Sequence, residues 1–423
     1  MNRFFLFTRW MIGIIVMFVP FMNVWSQTAP PVYVVVFTHI EDNCPDGELG
    51  TSESRDSYVN WRDKLIAIGE LFYKQQVKWV FEPDWKFLLA ALQYEEAPLT
   101  AITNNKNLLR YLKEDLNVTI DPHSHEHQGY SYTDVAHLLD SLGVGGSSVV
   151  GGHVWDPNLP QFAEWDRFRV PVAGSKFPWA VWRGDILMGS ATPSHINDPA
   201  VSGVWRPKDR YHFFEDDSQG NIVAVGQYKN SAHESHQKFI QNLNELITLY
   251  TNQNVPVEYM LTASKHLSPA DISAPHSLKI ITDSLLVPLL ALETAGKVKI
   301  TDFTSLVADW RSLFIARPFI YNPDVPTSVV DHRAPSDAII LFPNYPNPFN
   351  PSTEIRFQLP VKRHMMLKVF DVTGRQVATL IDDEIAAGSH AVKFTPHDLA
   401  SGIYFYRLSV NHFTAVRQAL FIK

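Results

Sequence analysis

Three histidines alternate in the stretch VTIDPHSHEHQGY, residues 118–130: His123, His125 and His127, with acidic residues beside them. A zinc ion takes three or four N, O or S ligands, and a hydrolytic site keeps one position for water. His123 and His127 are four apart, so a helical turn would project them to one side. The third ligand must come from elsewhere. FTHIEDN, residues 37–43, sets Glu41 and Asp42 side by side where a β-prone run ends. Adjacent carboxylates in such a place can divide labour, one holding a metal and its neighbour taking a proton from water. An isolated HxxxH is more often a feature of a solvated helix than a metal site. The strand before it and the strand-end carboxylates favour a metal centre.

These residues need elements to position them. From Val32 onward, short apolar runs alternate with segments of helical spacing. VYVVVFTHI reads as a buried strand. YVNWRDKLIAIGELFYKQQ then repeats apolar residues at Trp61, Leu65, Ile68, Leu71 and Phe72. VKWVFEP is a second strand, WKFLLAALQ and NLLRYLKEDL are helices, and NVTIDPH is a third strand. The helix YTDVAHLLDSLG, the strand SVVGGHVW, the helix HQKFIQNLNELITLYTNQN and the strand VEYMLTA follow. A last helix around HSLKIITDSLLVPLLALETAGK leads to the strand VKITDF. Such alternation predicts a mainly parallel sheet, and a barrel of these units suits the length. Functional side chains in that architecture gather at the C-terminal strand ends. Between Phe319 and Pro351 the composition turns dense in Pro, Asn, Ser and Asp, and residues 326–340 read as a linker. Beyond it, TEIRFQL, MLKVFDV, QVATLI, HAVKFTP, GIYFYRLSV and AVRQALFIK alternate as the strands of a small all-β sandwich.

FTHIEDN and HSHEH together resemble the polysaccharide deacetylases, the NodB-type carbohydrate esterases. HIEDN (His39 to Asn43) is similar to that family's first motif, a strand-end TFDDG. HSHEH (His123 to His127) matches its second, H-[ST]-x-x-H. The resemblance implies a distorted (β/α) barrel of the glycoside hydrolase/deacetylase type over residues 27–325. It also implies a divalent metal, zinc foremost, on Asp42, His123 and His127, with Glu41 as base. Glu41 departs from the family's Asp, and Asn43 from its Gly. The family's R-x-P motif, whose arginine orients the base, has two candidates, Arg169 with Pro171 and Arg206 with Pro207. Its closing histidine, a general acid, corresponds to His266. Its tryptophan-containing motif has no clear counterpart. His125 and Glu126 read as supporting groups, and His153 and His212 as weaker ligand candidates. Trp155, Trp179, Trp182 and Trp205 could stack on sugar rings or simply pack. The implied reaction is deacetylation of an N- or O-acetylated polysaccharide. Two rivals stand beside it. One is another metal-dependent amidohydrolase, although its HxH normally ends the first strand and here ends the third. The other is a catalytically impaired barrel that binds glycans or cell-surface material.

At 423 residues the chain suggests two or three domains, and 45% hydrophobic content supplies a large core. A formal charge of −8 without a long basic run argues against a nucleic-acid partner. Residues 1–26 read as a signal peptide: Arg3 and Arg9 precede an apolar run from Trp10 to Val19, shorter than the roughly 20 residues of a spanning helix. No later segment reads as a membrane span. Cys44 is the only cysteine, so no internal disulfide forms. Residues 341–423 resemble the C-terminal sorting domain of type IX secretion, on YPNPFNPSTEIRF, LKVFDVTGRQVATL, AAGSHAVKF and LASGIYFYRL, four blocks in the family's order. That resemblance implies a bacterium of the Bacteroidetes or a neighbouring lineage. It further implies a type IX secretion partner and a secreted or surface-attached protein.

Overall fold

The first strand, β1 (Val32–Ile40), is buried along its whole length. That is the condition of a parallel strand covered on both faces, and it explains the unbroken apolar run. Its alternation separates two layers. Val32, Val34, Val36 and Ile40 pack outward with Leu65, Ile68 and Phe72 of the helix Ser52–Lys74. Tyr33, Val35 and Phe37 point inward, where they meet Val80, Val149, Ile186 and Val223 from other strands. The structure is a computed structural model describing residues 29–152, 165–188, 201–209, 211–229, 234–323 and 339–423, apart from 343, 345, 360, 397, 398 and 412. The signal peptide, His153, Trp155 and nearly all of the linker lie outside the described residues.

Beside β1 run β2 (Val80–Pro83), β3 (Thr119–Ile120), β4 (Val149–Val150), the hairpin β5 (Val172–Ala173) and β6 (Val181–Trp182), β7 (Ile186–Leu187), β8 (Val204–Trp205), β9 (Val223–Val225), β10 (Thr262–His266) and β11 (Val298–Thr301). One edge of β1 pairs with β10 over residues 33–37. The other edge is shared in succession by β11 against residues 32–35 and β2 against 37–40. β2 pairs parallel with β3, and β7 lies parallel between β4 and β9. Two thin joints complete a barrel-like ring. A parallel bridge links His123 to Gly151, carrying β3 onto β4. At the other joint the Ser264 N–H donates to the Gln227 carbonyl and Thr262 Oγ1 to that of Gly226, bringing β10 beside the end of β9. The helix Phe303–Leu313, N-capped by Asp302, sends Phe303, Leu306, Val307 and Trp310 into the interior layer.

Three local expectations change. The strand expected at VEYMLTA begins only at Thr262 and runs through His266, because residues 262–266 take up the open edge of β1. Tyr259 instead closes a turn, its N–H donating to the Pro256 carbonyl. The long helix after His276 is divided into Ser277–Ile281, a wide turn over Thr282–Leu286 and Val287–Thr294. Pro288 lacks the N–H that a regular turn would use there. HSHEH forms no helical turn. Glu126 and Gln128 adopt left-handed backbone (φ 58 and 56), so His123 and His127 do not share a helix face.

The C-terminal sandwich has one sheet ordered β12 (Ile340–Leu341), β13 (Thr353–Leu359), β16 (Gly388–Phe394). The other is ordered β15 (Gln376–Ile385), β14 (Arg363–Asp371), β17 (Gly402–Val410), β18 (Phe413–Phe421). Strict alternation along β13 buries Ile355, Phe357 and Leu359 against Leu367, Tyr406 and Leu408 of the facing sheet. Arg317 joins the two units: Nη2 donates to Gln358 Oε1 (3.0 Å), and the guanidinium lies over the rings of Tyr259 and Phe342, 5.6 Å from each.

Candidate metal centre

The inward alternation of β1 continues past Phe37 to His39 and, one residue beyond the strand, to Glu41. His39 Nε2 stands 3.6 Å from Glu41 Oε1. The same alternation on the segment after β3 directs Asp121 and His123 inward. His123 enters the site where its backbone bridges Gly151. The rings form a column: Phe37 on His266 at 5.1 Å, His266 on His39 at 4.0 Å, and His39 on His123 at 4.4 Å between centroids. Offset aromatic faces favour such spacings. Ligand atoms of His39, Glu41 and His123 all lie within 4.8 Å of one another.

Of the expected ligands, His123 is in this cluster, while Asp42 and His127 form a neighbouring pair. His127 Nδ1 lies 3.1 Å from Asp42 Oδ2, and the His127 side chain is 57% exposed. His125 lies between, its Nε2 3.9 Å from Glu41 Oε1 and its ring edge-on to His123. His266, expected just past a strand, is the last residue of β10 and 3% exposed. The two arginine candidates are engaged elsewhere. Arg169 donates to the carbonyls of Pro207 and Lys208 (2.9 Å each), and Arg206 pairs with both oxygens of Asp216. His212 pairs with Asp209 on an exposed loop. Trp205 is buried and Trp182 is half-buried, and their indole N–H groups donate to the carbonyls of Phe213 and Ser147, so they pack. Trp179 is exposed.

Two residues of the site had no role in the sequence reading. His39 lay inside the HIEDN motif, and strand alternation alone would have put it on the side of Glu41. Glu82, in VKWVFEP, is a carboxylate within a buried strand. It is fully buried, with Oε2 3.5 Å from His123 Nδ1. Burial pushes its carboxyl well above the usual range, and the charge of Asp121 adds to this. Burial likewise raises Asp121 to about 7, against a hydrogen bond from the Ser147 hydroxyl. Asp84 is raised by burial, against the Trp85 N–H, and further by Asp42 and Glu41. Glu82, Asp84 and Asp121, each pushed up in this way and standing near two further acidic side chains, Glu41 and Asp42, favour a cation beside them. Two imidazoles and a carboxylate are the donor set of open, hydrolytic zinc sites, so these residues fit a divalent metal.

Residues 344–423 match the family model of the secretion system C-terminal sorting domain. The chain therefore carries a type IX sorting domain. No curated protein matches the chain. Among solved structures, dimeric latent PorU from Porphyromonas gingivalis aligns over 25% of this chain and 10% of its own, at 18% identity and a TM-score of 0.18. PorZ, a surface component of type IX secretion in the same organism, aligns over 25% and 14%, at 16% identity and a TM-score of 0.15. The chain thus spans a small part of either protein. A proposed glycoside hydrolase/deacetylase from Parabacteroides distasonis aligns over 85% of both chains, at 10% identity and a TM-score of 0.39. Likeness at these levels says nothing about activity.

Proposed function

We propose that this is a secreted, metal-dependent hydrolase that removes acetyl groups from an N- or O-acetylated polysaccharide, with His39, Glu41 and His123 holding a divalent cation. The observation that carries the reading is the convergence of those three side chains within 4.8 Å at the C-terminal ends of β1 and β3. The HSHEH motif and the sorting domain support the substrate class and the export. A cation in such a site supplies Lewis acidity toward a carbonyl and acidifies water.

The chain's own residues carry the rest. With Glu41 as a ligand, His125 is the proton acceptor within reach of it, 3.9 Å from Oε1. His266, stacked on His39, donates a proton to the departing amine or alcohol. A second distribution keeps Glu41 as base and uses Asp42, His123 and His127 as ligands. It requires the Asp42–His127 pair to turn inward toward His123, and Arg169 to leave two carbonyls to orient Glu41. The first needs no such movement and is preferred.

Metal content and acetate release from acetylated chitin, xylan and peptidoglycan fragments test the reading. His39→Ala should empty the site and His127→Ala should not; the opposite pattern would select the second distribution. A wild-type chain that holds metal yet frees no acetate would leave a glycan-binding barrel.

A further inference from the structure

We infer that Glu82 positions His123, accepting a hydrogen bond from its Nδ1–H and so presenting Nε2 to a cation; this rests on the ligand set proposed above. Glu82 stands on β2, which lies between the strands that supply His39 and His123. Its side chain is fully buried, and neither carboxylate oxygen has a hydrogen-bond partner among the described residues. A buried carboxyl left without a hydrogen bond is costly. The group it faces is His123, with Oε2 3.5 Å from Nδ1.

The backbone opposite is cut away to allow this meeting. A Cβ on Gly151 would fall 2.6 Å from the Pro122 carbonyl oxygen and 3.0 Å from Glu82 Oε2. A Cβ on Gly152 would fall 2.5 Å from Cε1 of the His123 ring, at a backbone φ of +71 that already favours glycine. With His39 stacked on one face at 4.4 Å, the ring is held by its face, by its edge and at Nδ1. A carboxylate on one imidazole nitrogen fixes the tautomer and raises the basicity of the other. Loss of such a partner typically weakens metal binding about 10–100-fold.

The test uses the full exported chain stripped of metal, with zinc ion added against a competing chromophoric chelator, and 15N shifts of His123 read once zinc is bound. Glu82→Gln should keep the fold and weaken zinc binding about 10–100-fold, Glu82→Asp should restore part of it, and wild-type His123 should carry its proton on Nδ1. Zinc bound by Glu82→Gln as tightly as by wild type, while His39→Ala loses it, would overturn the role of Glu82 and leave the metal site standing. Wild type that binds no zinc would overturn both. Should Glu82→Gln not fold, the wild-type tautomer decides: a proton on Nε2 of His123 rejects the inference.

Discussion

Cys44 follows Asp42 by two residues yet packs into the layer between ring and helices, only 7% exposed. Burial, with the charge of Asp46 adding, pushes its thiol up to about 12. At pH 8 the thiolate fraction is then on the order of one in 10⁴, and the thiolate is the reactive form. Iodoacetamide should therefore label Cys44 only after the chain is unfolded; rapid labelling of the native protein, read by mass spectrometry, would refute this. At this scale the sequence was partly legible. HSHEH and the Glu41–Asp42 pair pointed to a cluster able to hold a cation, because their residue types do. Their division between two clusters was not legible, since it depends on the left-handed turns at Glu126 and Gln128 and on the side of the strand that each residue faces. Glu82 went unread because a lone glutamate in an apolar run gives no sign of the histidine it will meet.

One helix start fastens a loop. Asp134, in the first turn of the helix Tyr132–Ser141, accepts from the backbone N–H and hydroxyl of Ser131 and from the N–H groups of Ser175, Lys176 and Phe177. Burial alone would raise its carboxyl, but the hydrogen bonds from Phe177, Ser131 and Lys176 outweigh it and hold the group below the ordinary value. A depressed carboxyl contributes stability above the unfolded value near 3.9, and this is lost as pH falls through the lower folded value. Asp134→Asn should cost at least about 2 kcal/mol at pH 7, since bonds to a charged acceptor are the stronger kind. The gap to wild type should narrow in acid. Urea titrations at both pH values check this, and a gap independent of pH would refute the ionic account. Long elements were legible because their periods repeat. β1, the helix Ser52–Lys74 and β13 lie close to where their apolar spacing put them. β7 and β8 have two residues each and β9 has three, too few to show any period, so the part of the ring they form had no signal.

For the whole molecule, the sandwich carries none of the cluster around His39, so sorting and the proposed chemistry should be separable. Removing residues 341–423 should stop passage across the outer membrane and leave the protein in the periplasm with its metal content unchanged. Normal secretion of the shortened chain, seen by fractionation, would refute the sorting role. The composition shift near the linker marked this division, whereas the contact of Arg317 with Gln358 had no mark, because it joins residues of independent pattern. The ring joint at His123 and Gly151 has one more consequence. Among the described residues that seam is held by one bridge and its flanking bonds, and His39 and His123 come from strands separated by β2. A cation gripping both would tie the end of β1 to His123 over β2 and so brace the His123 lip of the seam, and its occupancy should be legible in amide hydrogen exchange. At a hundredfold excess over Kd, a ligand bound only by the folded state adds about 2.7 kcal/mol. Chelation should therefore speed exchange first at residues 119–124 and 149–152, while the strands of the sandwich keep their rates. Uniform exchange with and without metal would mean that the seam closes unaided.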